Sequence, residues 1–332
     1  MDSAADAAAR FLRDNLVWDN HGCMPLRPLD ESYLPQLARY RKAGVDAAFI
    51  NIGYGELSIE LHLRMIAQFR RWISLRSDEY ILIKTAADIE RARAEGKLAV
   101  GFDIEGARAI GDQLSLIQLY YDLGVRWMLM AYNRGNLVGG GCHDEEDGGL
   151  TAYGRQVLDE MALVGMVACC THTGPRTTLD VMAHSKNPVI FSHSNPRALH
   201  DHQRNISDEA MRACAATGGV VGINGVGIFL GENDISTDTV VRHIDYAVSL
   251  IGIDHVGFGF DYVFDMDELI EFLKTMRHTF PAGKGYEGVP KFVPPEQLPE
   301  IIAALLRRGY KEADIAKIAG LNLMRVARQV WK

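Results

Sequence analysis

Eight short apolar or β-branched runs recur along the chain, each breaking off at a polar side chain and each followed by a stretch with helical spacing. They fall at 16–23, 47–53, 98–105, 126–133, 166–173, 189–194, 220–224 and 256–262. Near-continuous apolarity marks strands buried on both faces, as in a parallel sheet, and most intervals are long enough to hold a crossover helix. The residues that end the runs are His21, Asn51, Glu105, Tyr132 with Asn133, His172, His193, Asn224 and Asp261. In a closed (β/α)8 barrel these carboxyl ends converge on one mouth. A doubly wound sheet would spread them along a crevice, and no G-x-G-x-x-G follows the first run. The pattern predicts an α/β fold: a single (β/α)8 TIM-like barrel domain over 1–332, with extra loops and C-terminal helices.

The intervals agree with that plan. Ser207, followed by Asp208 and Glu209, reads as a helix cap with acidic first-turn residues, and Gly218 as the stop. The stretch from Thr151 to Leu163 carries Val157 and Met161 at helical spacing. Two segments lack periodicity: 133–149, with three consecutive glycines and a run of acids, and 281–295. Both are expected to form lids over the mouth.

Composition limits the partners. Lys and Arg total 35 against 43 Asp and Glu, a net charge of −8 without any basic tract, so nucleic acid and anionic membrane surfaces are poor partners. No uncharged apolar run approaches the ~18 residues of a membrane span. The first fifteen residues read as an amphipathic helix rather than a secretory signal, and the last nine are too polar for a lipid anchor. Five cysteines without a C-x-x-C pair give no disulfide framework, and the expected compartment is the cytoplasm.

Chemistry concentrates at the run ends. In His21-Gly22-Cys23 both side chains lie on one side of an extended chain, where they could share an ion; a packed thiol beside a hydrogen-bonded imidazole is the plainer alternative. Glu105 closes an apolar run, which is costly unless the carboxylate is paired, for instance with Arg108, or bound to a cation. His172 and His193 end successive strands, each flanked by hydroxyl residues that could orient an imidazole. Asp261 ends the last strand beside the first, and could ligate a metal, move a proton or cap the next helix. Arg204, near His202 in the loop after the sixth run, could clasp a carboxylate or be a solvated loop residue. His62, His143, His184, His200, His243, His255 and His278 are assigned to surface or structural roles, although His143 lies in the first predicted lid. No G-x-S-x-G elbow or Walker loop is present. Together His21, Cys23, Glu105, His172, His193 and Asp261 gather at one predicted barrel end, and that convergence points to a metal site.

At this point the residues resemble a known family. DIEGA around Glu105, LTAYGRQVLDEMALVGM leading to THT, PVIFSHSNPRALHDHQRN, HVGFGFD and GLNLMRV are similar to the membrane (renal) dipeptidases, peptidase family M19 of the amidohydrolase superfamily, over nearly the whole chain. The resemblance implies a two-zinc site with Glu105 bridging. His172 and His193 would complete one site, and His21, residue 23 and Asp261 the other. A hydroxide held by the metals would attack an amide carbonyl while Asp261 passes its proton to the leaving amine, and Arg204 would hold the substrate carboxylate. Family substrates are dipeptides, and the family makes a homodimer plausible. Two positions depart from the family pattern: Cys23 stands where H-x-D is usual, and Tyr132, in MAYN, stands where many members place a substrate-contacting histidine. A phenol at 132 could still donate a hydrogen bond to the substrate carbonyl. The expectation is a zinc-dependent dipeptidase acting on dipeptides or small N-acyl amino acids, with one or two zinc ions. The alternatives are a mononuclear-metal hydrolase of another small amide or lactam, and a non-catalytic metabolite-binding barrel.

Overall fold

The computed structural model describes residues 3–332. Its strands are β1 (Trp18–Cys23), β2 (Ala47–Tyr54), β3 (Tyr80–Leu82), β4 (Leu98–Glu105), β5 (Val125–Leu129), β6 (Val167–Cys169), β7 (Val189–Ile190), β8 (Val221–Ile223), β9 (Val256–Phe258) and β10 (Tyr262–Val263). All ladders between them are parallel, in the order β7-β6-β5-β4-β2-β1-β9-β8. A parallel bridge between Phe191 and Val221 joins the two ends of that path and closes the barrel. Its hydrogen bonds are Phe191 N–H to Val220 O at 3.0 Å and Gly222 N–H to Phe191 O at 2.8 Å. The predicted α/β barrel is therefore present, with helices between successive strands and three more, Leu298–Arg307, Glu312–Ala316 and Asn322–Val330, at the C-terminal end.

Three details differ from the sequence reading. The strand β3 was not expected; it pairs with the first half of the β4 edge whose second half pairs with β5. The later strands are shorter than their apolar runs, because the chain leaves the ladder before the run ends. The run at 256–262 is split, with β9 and β10 both lying against β1 and Asp261 standing at the break. There the Asp261 N–H donates to His21 O at 3.0 Å, which ties the interruption to the first strand.

Helix boundaries follow local chemistry. Ser207 Oγ accepts from Ala210 N–H at the start of Asp208–Ala216, and Gly218 follows with φ of 83°. Thr151 caps Ala152–Val164 in the same way. Beneath the mouth, Trp18, Phe49 and Trp127 fill the barrel, with ring centroids 5.3 Å apart for the first pair and 6.5 Å for the second. Trp331, following the last helix, covers Trp18 from below at 5.8 Å. This aromatic floor excludes water from one end of the barrel and leaves the other for polar groups.

The closing seam depends on glycines. A Cβ on Gly222 or on Gly259 would collide with the Ser192 carbonyl oxygen, so both positions let β8 and β9 approach the chain just past β7. Gly259→Ala is expected to cost about 3 kcal/mol or more, the upper part of the overpacking range, because the clash is with backbone. Gly148→Ala, where nothing lies within 4 Å of the added carbon, should leave stability near wild type. Urea unfolding of both variants checks this.

Acid sensitivity also follows from the packing. His243 is buried, its Nε2–H facing Leu230 O at 3.0 Å, and burial holds its pKa down to about 4. The unfolded chain binds that proton near pH 6.5, so stability falls as pH drops from 6.5 towards 4. In that window His243 contributes a slope of up to about 1.4 kcal/mol per pH unit, which His243→Gln should remove from the pH profile of the urea midpoint.

Candidate metal centre

The six residues expected to converge do so at the carboxyl end of the barrel. His21 and Cys23 come from β1, Glu105 from the end of β4, and His172, His193 and Asp261 from the turns just past β6, β7 and β9. His172 and Asp261 hold positive φ, 64° and 58°, as does Asn133 at 56°. Such conformations are uncommon for non-glycine residues and cluster at functional sites. Here they lie in the turns by which the chain leaves β5, β6 and β9.

Three overlapping triads have ligand atoms within 4.8 Å of one another: His21, Cys23 and Glu105; His21, His193 and Asp261; Glu105, His172 and His193. Glu105 belongs to two of them, and the third shares His21 with one and His193 with the other. Glu105 Oε1 lies 3.4 Å from His21 Nε2, 3.5 Å from His172 Nε2 and 3.3 Å from His193 Nε2. His172 Nε2 and His193 Nε2 are themselves 3.2 Å apart, so the two imidazoles predicted to share an ion do face each other. Cys23 Sγ stands 3.5 Å from both His21 Nε2 and Asp261 Oδ1.

Each imidazole is held from behind. His21 Nδ1 faces Asp103 Oδ2 at 3.2 Å, His172 Nδ1 faces Asn133 Oδ1 at 2.6 Å, and His193 Nδ1 faces Ser192 Oγ at 2.9 Å. Asn133 is fixed in turn, its Nδ2–H donating to Thr279 O at 3.1 Å. A proton on Nδ1 leaves the Nε2 lone pair aimed at the centre, the arrangement a ligating histidine needs. Asn51 Nδ2–H donates to Glu105 Oε2 at 2.7 Å, and Asn224 Nδ2–H to Asp261 Oδ2 at 3.0 Å. Ser192 is one of the flanking hydroxyl residues expected to orient an imidazole, whereas Asn51, Asn133 and Asn224 stand at run ends without an expected supporting role. Asp103 had a signal: two positions before Glu105 on one strand, it must share that residue's face.

The electrostatics ask for a cation. Burial raises the Glu105 pKa to about 8 and that of Asp103 to about 6. Burial likewise pushes the Cys23 thiol far up, with the negative charge of Asp261 adding to it. For His21, burial opposes the charged form, but Asp103, Glu105 and Cys23 outweigh it and hold the imidazolium well above its usual range. Burial pushes His172 and His193 well below theirs, so both are neutral. Glu105 Oε1 is buried and makes no hydrogen bond, although three ring nitrogens surround it. A buried carboxylate oxygen in that position is stabilised by a metal ion, and the N, O and S donors present suit zinc.

The plainer alternatives for Glu105, Asp261 and Arg204 are not what the structure shows, whereas Cys23 does lie beside a hydrogen-bonded His21 imidazole. Arg108 pairs with Glu56 at 3.7 Å, not with Glu105. Asp265, not Asp261, caps the helix Met266–Thr275. Arg204 is not solvated: it is 2% exposed, its Nε and Nη2 are buried without hydrogen-bond partners, and its guanidinium carbon sits 5.0 Å from the centre of the Phe229 ring. Tyr132 stacks on His172, with centroids 4.1 Å apart. His62 and His243 are buried and bonded to backbone carbonyls, as structural residues should be. His143 joins the two predicted lids: its Nε2 meets Tyr286 Oη at 2.8 Å and its Nδ1 meets Gln203 Oε1 at 2.9 Å.

With this geometry established, comparison with known proteins becomes informative. The family described as Membrane dipeptidase (Peptidase family M19) matches residues 23–276 and 282–332. The chain belongs to peptidase family M19. It is 31% identical over 285 residues to an uncharacterized protein encoded in the pqqA 5′ region of Klebsiella pneumoniae, an overlap covering 82% of this chain and 97% of that one. It is 30% identical over 283 residues to an uncharacterized dipeptidase of Schizosaccharomyces pombe, covering 81% of this chain and 61% of that protein. The crystal structure of an amidohydrolase from Pseudomonas aeruginosa superposes with a TM-score of 0.89 at 30% identity, covering 98% of this chain and 99% of that one. This M19 member is thus a metallo-dipeptidase of the amidohydrolase type. Among its described residues no helix is long and apolar enough to cross a membrane, and all five cysteines are free.

Proposed function

We propose that this M19 member is a zinc-dependent hydrolase that cleaves the amide bond of dipeptides or small N-acyl amino acids. The observation that carries the proposal is the unpartnered Glu105 Oε1, shared by one triad completed by His172 and His193 and another completed by His21 and Cys23, with a third triad of His21, His193 and Asp261 overlapping both. In this reading Glu105, His172 and His193 would hold one ion and Glu105, His21, Cys23 and Asp261 another, with Cys23 in the place of the aspartate usual in the family. When bound, the metal supplies Lewis-acid polarisation of the scissile carbonyl and lowers the pKa of the attacking water.

The chain's own residues do the rest. Asp261 is fixed by Asn224 at 3.0 Å and by its backbone bond to His21, so one carboxylate oxygen stays directed at the reacting centre. It accepts the proton of the attacking water and delivers it to the leaving amine. Arg204, buried with unused donors, holds the substrate's free carboxylate through charge-assisted hydrogen bonds. Tyr132, held against His172, offers its phenol to the carbonyl oxygen as it gains charge. Overlapping triads that share Glu105 favour the two-ion form over a mononuclear one, and the retained proton carrier and carboxylate clasp favour an enzyme over a binding barrel.

Zinc analysis of the purified protein should find two equivalents. Glu105→Gln should lower zinc content and reduce dipeptide turnover by roughly 100-fold or more, since it removes charge where both sites meet. Full turnover in that variant would overturn the bridging role.

Thiolate ligation has its own signature. Cobalt loading of the wild-type protein should produce a near-ultraviolet sulfur-to-metal charge-transfer band, because thiolate is a soft, charge-donating ligand. Cys23→Ser should abolish the band while cobalt remains bound at the His172 and His193 side. A band unchanged by the substitution would exclude Cys23 as a ligand.

A further inference from the structure

The rim of the barrel and the segment 263–292 enclose a two-lobed cavity whose lobes share Cys23, Glu105, Tyr132, Val263, Leu269 and Phe280. The first lobe runs past Met24, Leu26, Tyr54 and Phe272. The second is walled by Val226, Ile228, Phe229, Leu273, Tyr286 and Phe292. Each therefore meets the candidate metal centre at one end and an apolar wall at the other.

The two lobes are not equivalent. Asp261 lines only the second, and Phe229, one of its walls, carries the Arg204 guanidinium against its ring. Asp261 thus lines the second lobe, while Arg204 stands behind its Phe229 wall and lines a neighbouring cavity that shares His172 with the lobe. An amino acid has its amine and its carboxylate on one carbon. A leaving residue that meets Asp261 and Arg204 together lies beside the second lobe, which is the apolar space next to its α-carbon.

The second lobe selects by polarity. Apart from the groups at the centre, its only ionisable side chain is Tyr286, and the Tyr286 hydroxyl is taken by His143 at 2.8 Å. A charged side chain placed there would lose its water and find no partner. An aromatic or branched one would meet Ile228, Leu273 and Phe292 and gain by leaving water. The first lobe differs: Asp265 and Glu268 lie in its wall, both paired with Arg27, the former at 2.7 Å.

We infer that the residue bearing the free carboxylate carries a large apolar side chain seated in this second lobe. This rests on the amide hydrolysis proposed above and names its substrate class: dipeptides or N-acyl amino acids ending in a residue such as phenylalanine, leucine or methionine.

Two measurements on the zinc-loaded enzyme test it. The first is kcat/KM for Ala-Phe, Ala-Leu, Ala-Gly and Ala-Asp, with the second residue supplied in both L and D forms. Phenylalanine and leucine substrates should exceed glycine and aspartate ones by roughly tenfold or more, and Ile228→Ala or Phe292→Ala should narrow the phenylalanine-to-glycine ratio several-fold. The second is calorimetric binding of free phenylalanine, glycine and aspartate, the products of the leaving side, in which phenylalanine should bind tightest. Hydrolysis of all four dipeptides at equal efficiency, or tighter binding of aspartate or glycine, overturns the inference and leaves the hydrolase reading standing. Selective phenylalanine binding without turnover of any dipeptide supports the lobe assignment and removes the hydrolase reading.

Discussion

The constraint on which the rest of this structure depends is the burial of negatively charged and metal-ligating groups at one end of a closed barrel. Glu105, Asp103, Asp261 and Cys23 lie within a few ångströms of three imidazoles, and most of these groups are almost wholly removed from water. Without a cation the arrangement is costly, and the raised pKa values of Glu105 and Asp103 express that cost. The fold tolerates it because each group is restrained by a second residue: Asp103, Asn133 and Ser192 behind the histidines, Asn51 and Asn224 behind the carboxylates. Preorganisation of this kind is what a metal site requires, since the ligands need little rearrangement when the ion arrives.

The barrel must close tightly for these groups to meet. His193 and Asp261 belong to segments on opposite sides of β8, and they approach only because Gly222 and Gly259 allow the backbone past β7 to lie close to β8 and β9. The aromatic layer of Trp18, Phe49 and Trp127 supports them from below, with the Trp127 ring 5.6 Å from that of His21. Packing and chemistry are therefore coupled. The floor fixes where the histidines begin, and the seam fixes how near they come.

Much of this was legible in the sequence because two periodicities coincide. Apolar runs mark the strands, and a polar residue at each end marks the mouth, so His21, Glu105, His172, His193 and Asp261 could be grouped without coordinates. What was not legible depends on contacts remote in sequence. Asn133 is tied to both His172 and Thr279, and nothing local in MAYN announces either bond. The short strand β3 has only three residues, too few for a period to show. The splitting of the last run reflects the positive φ at Asp261, a demand of the site rather than of strand propensity. Arg204 had two equal readings in a polar loop. Only its burial, with donors unused, separates them.

The barrel and its cover divide the work. Groups from strand ends carry charge and bind through lone pairs, and their positions are set by a ladder that tolerates little change. Most of the cavity's apolar walls come instead from residues beyond β8 and from 263–292, where much of the backbone is irregular. The first lid holds the second through His143 and Tyr286, and holds the residues just before it through Asn133 and Thr279 and through Arg134 Nε, which donates to His278 O at 2.8 Å. Substitution in such a cover alters what fits without disturbing the ions. Tyr132 lies at the junction, stacked on His172 on one side and 6.2 Å from the Phe280 ring on the other. An uncharged aromatic there extends the apolar walls up to the reacting centre, whereas a cationic imidazole would interrupt them. In the proposed reading Tyr132 and the apolar second lobe are thus physically consistent: both would shift recognition from charge towards shape, and would leave the charge clasp to Arg204.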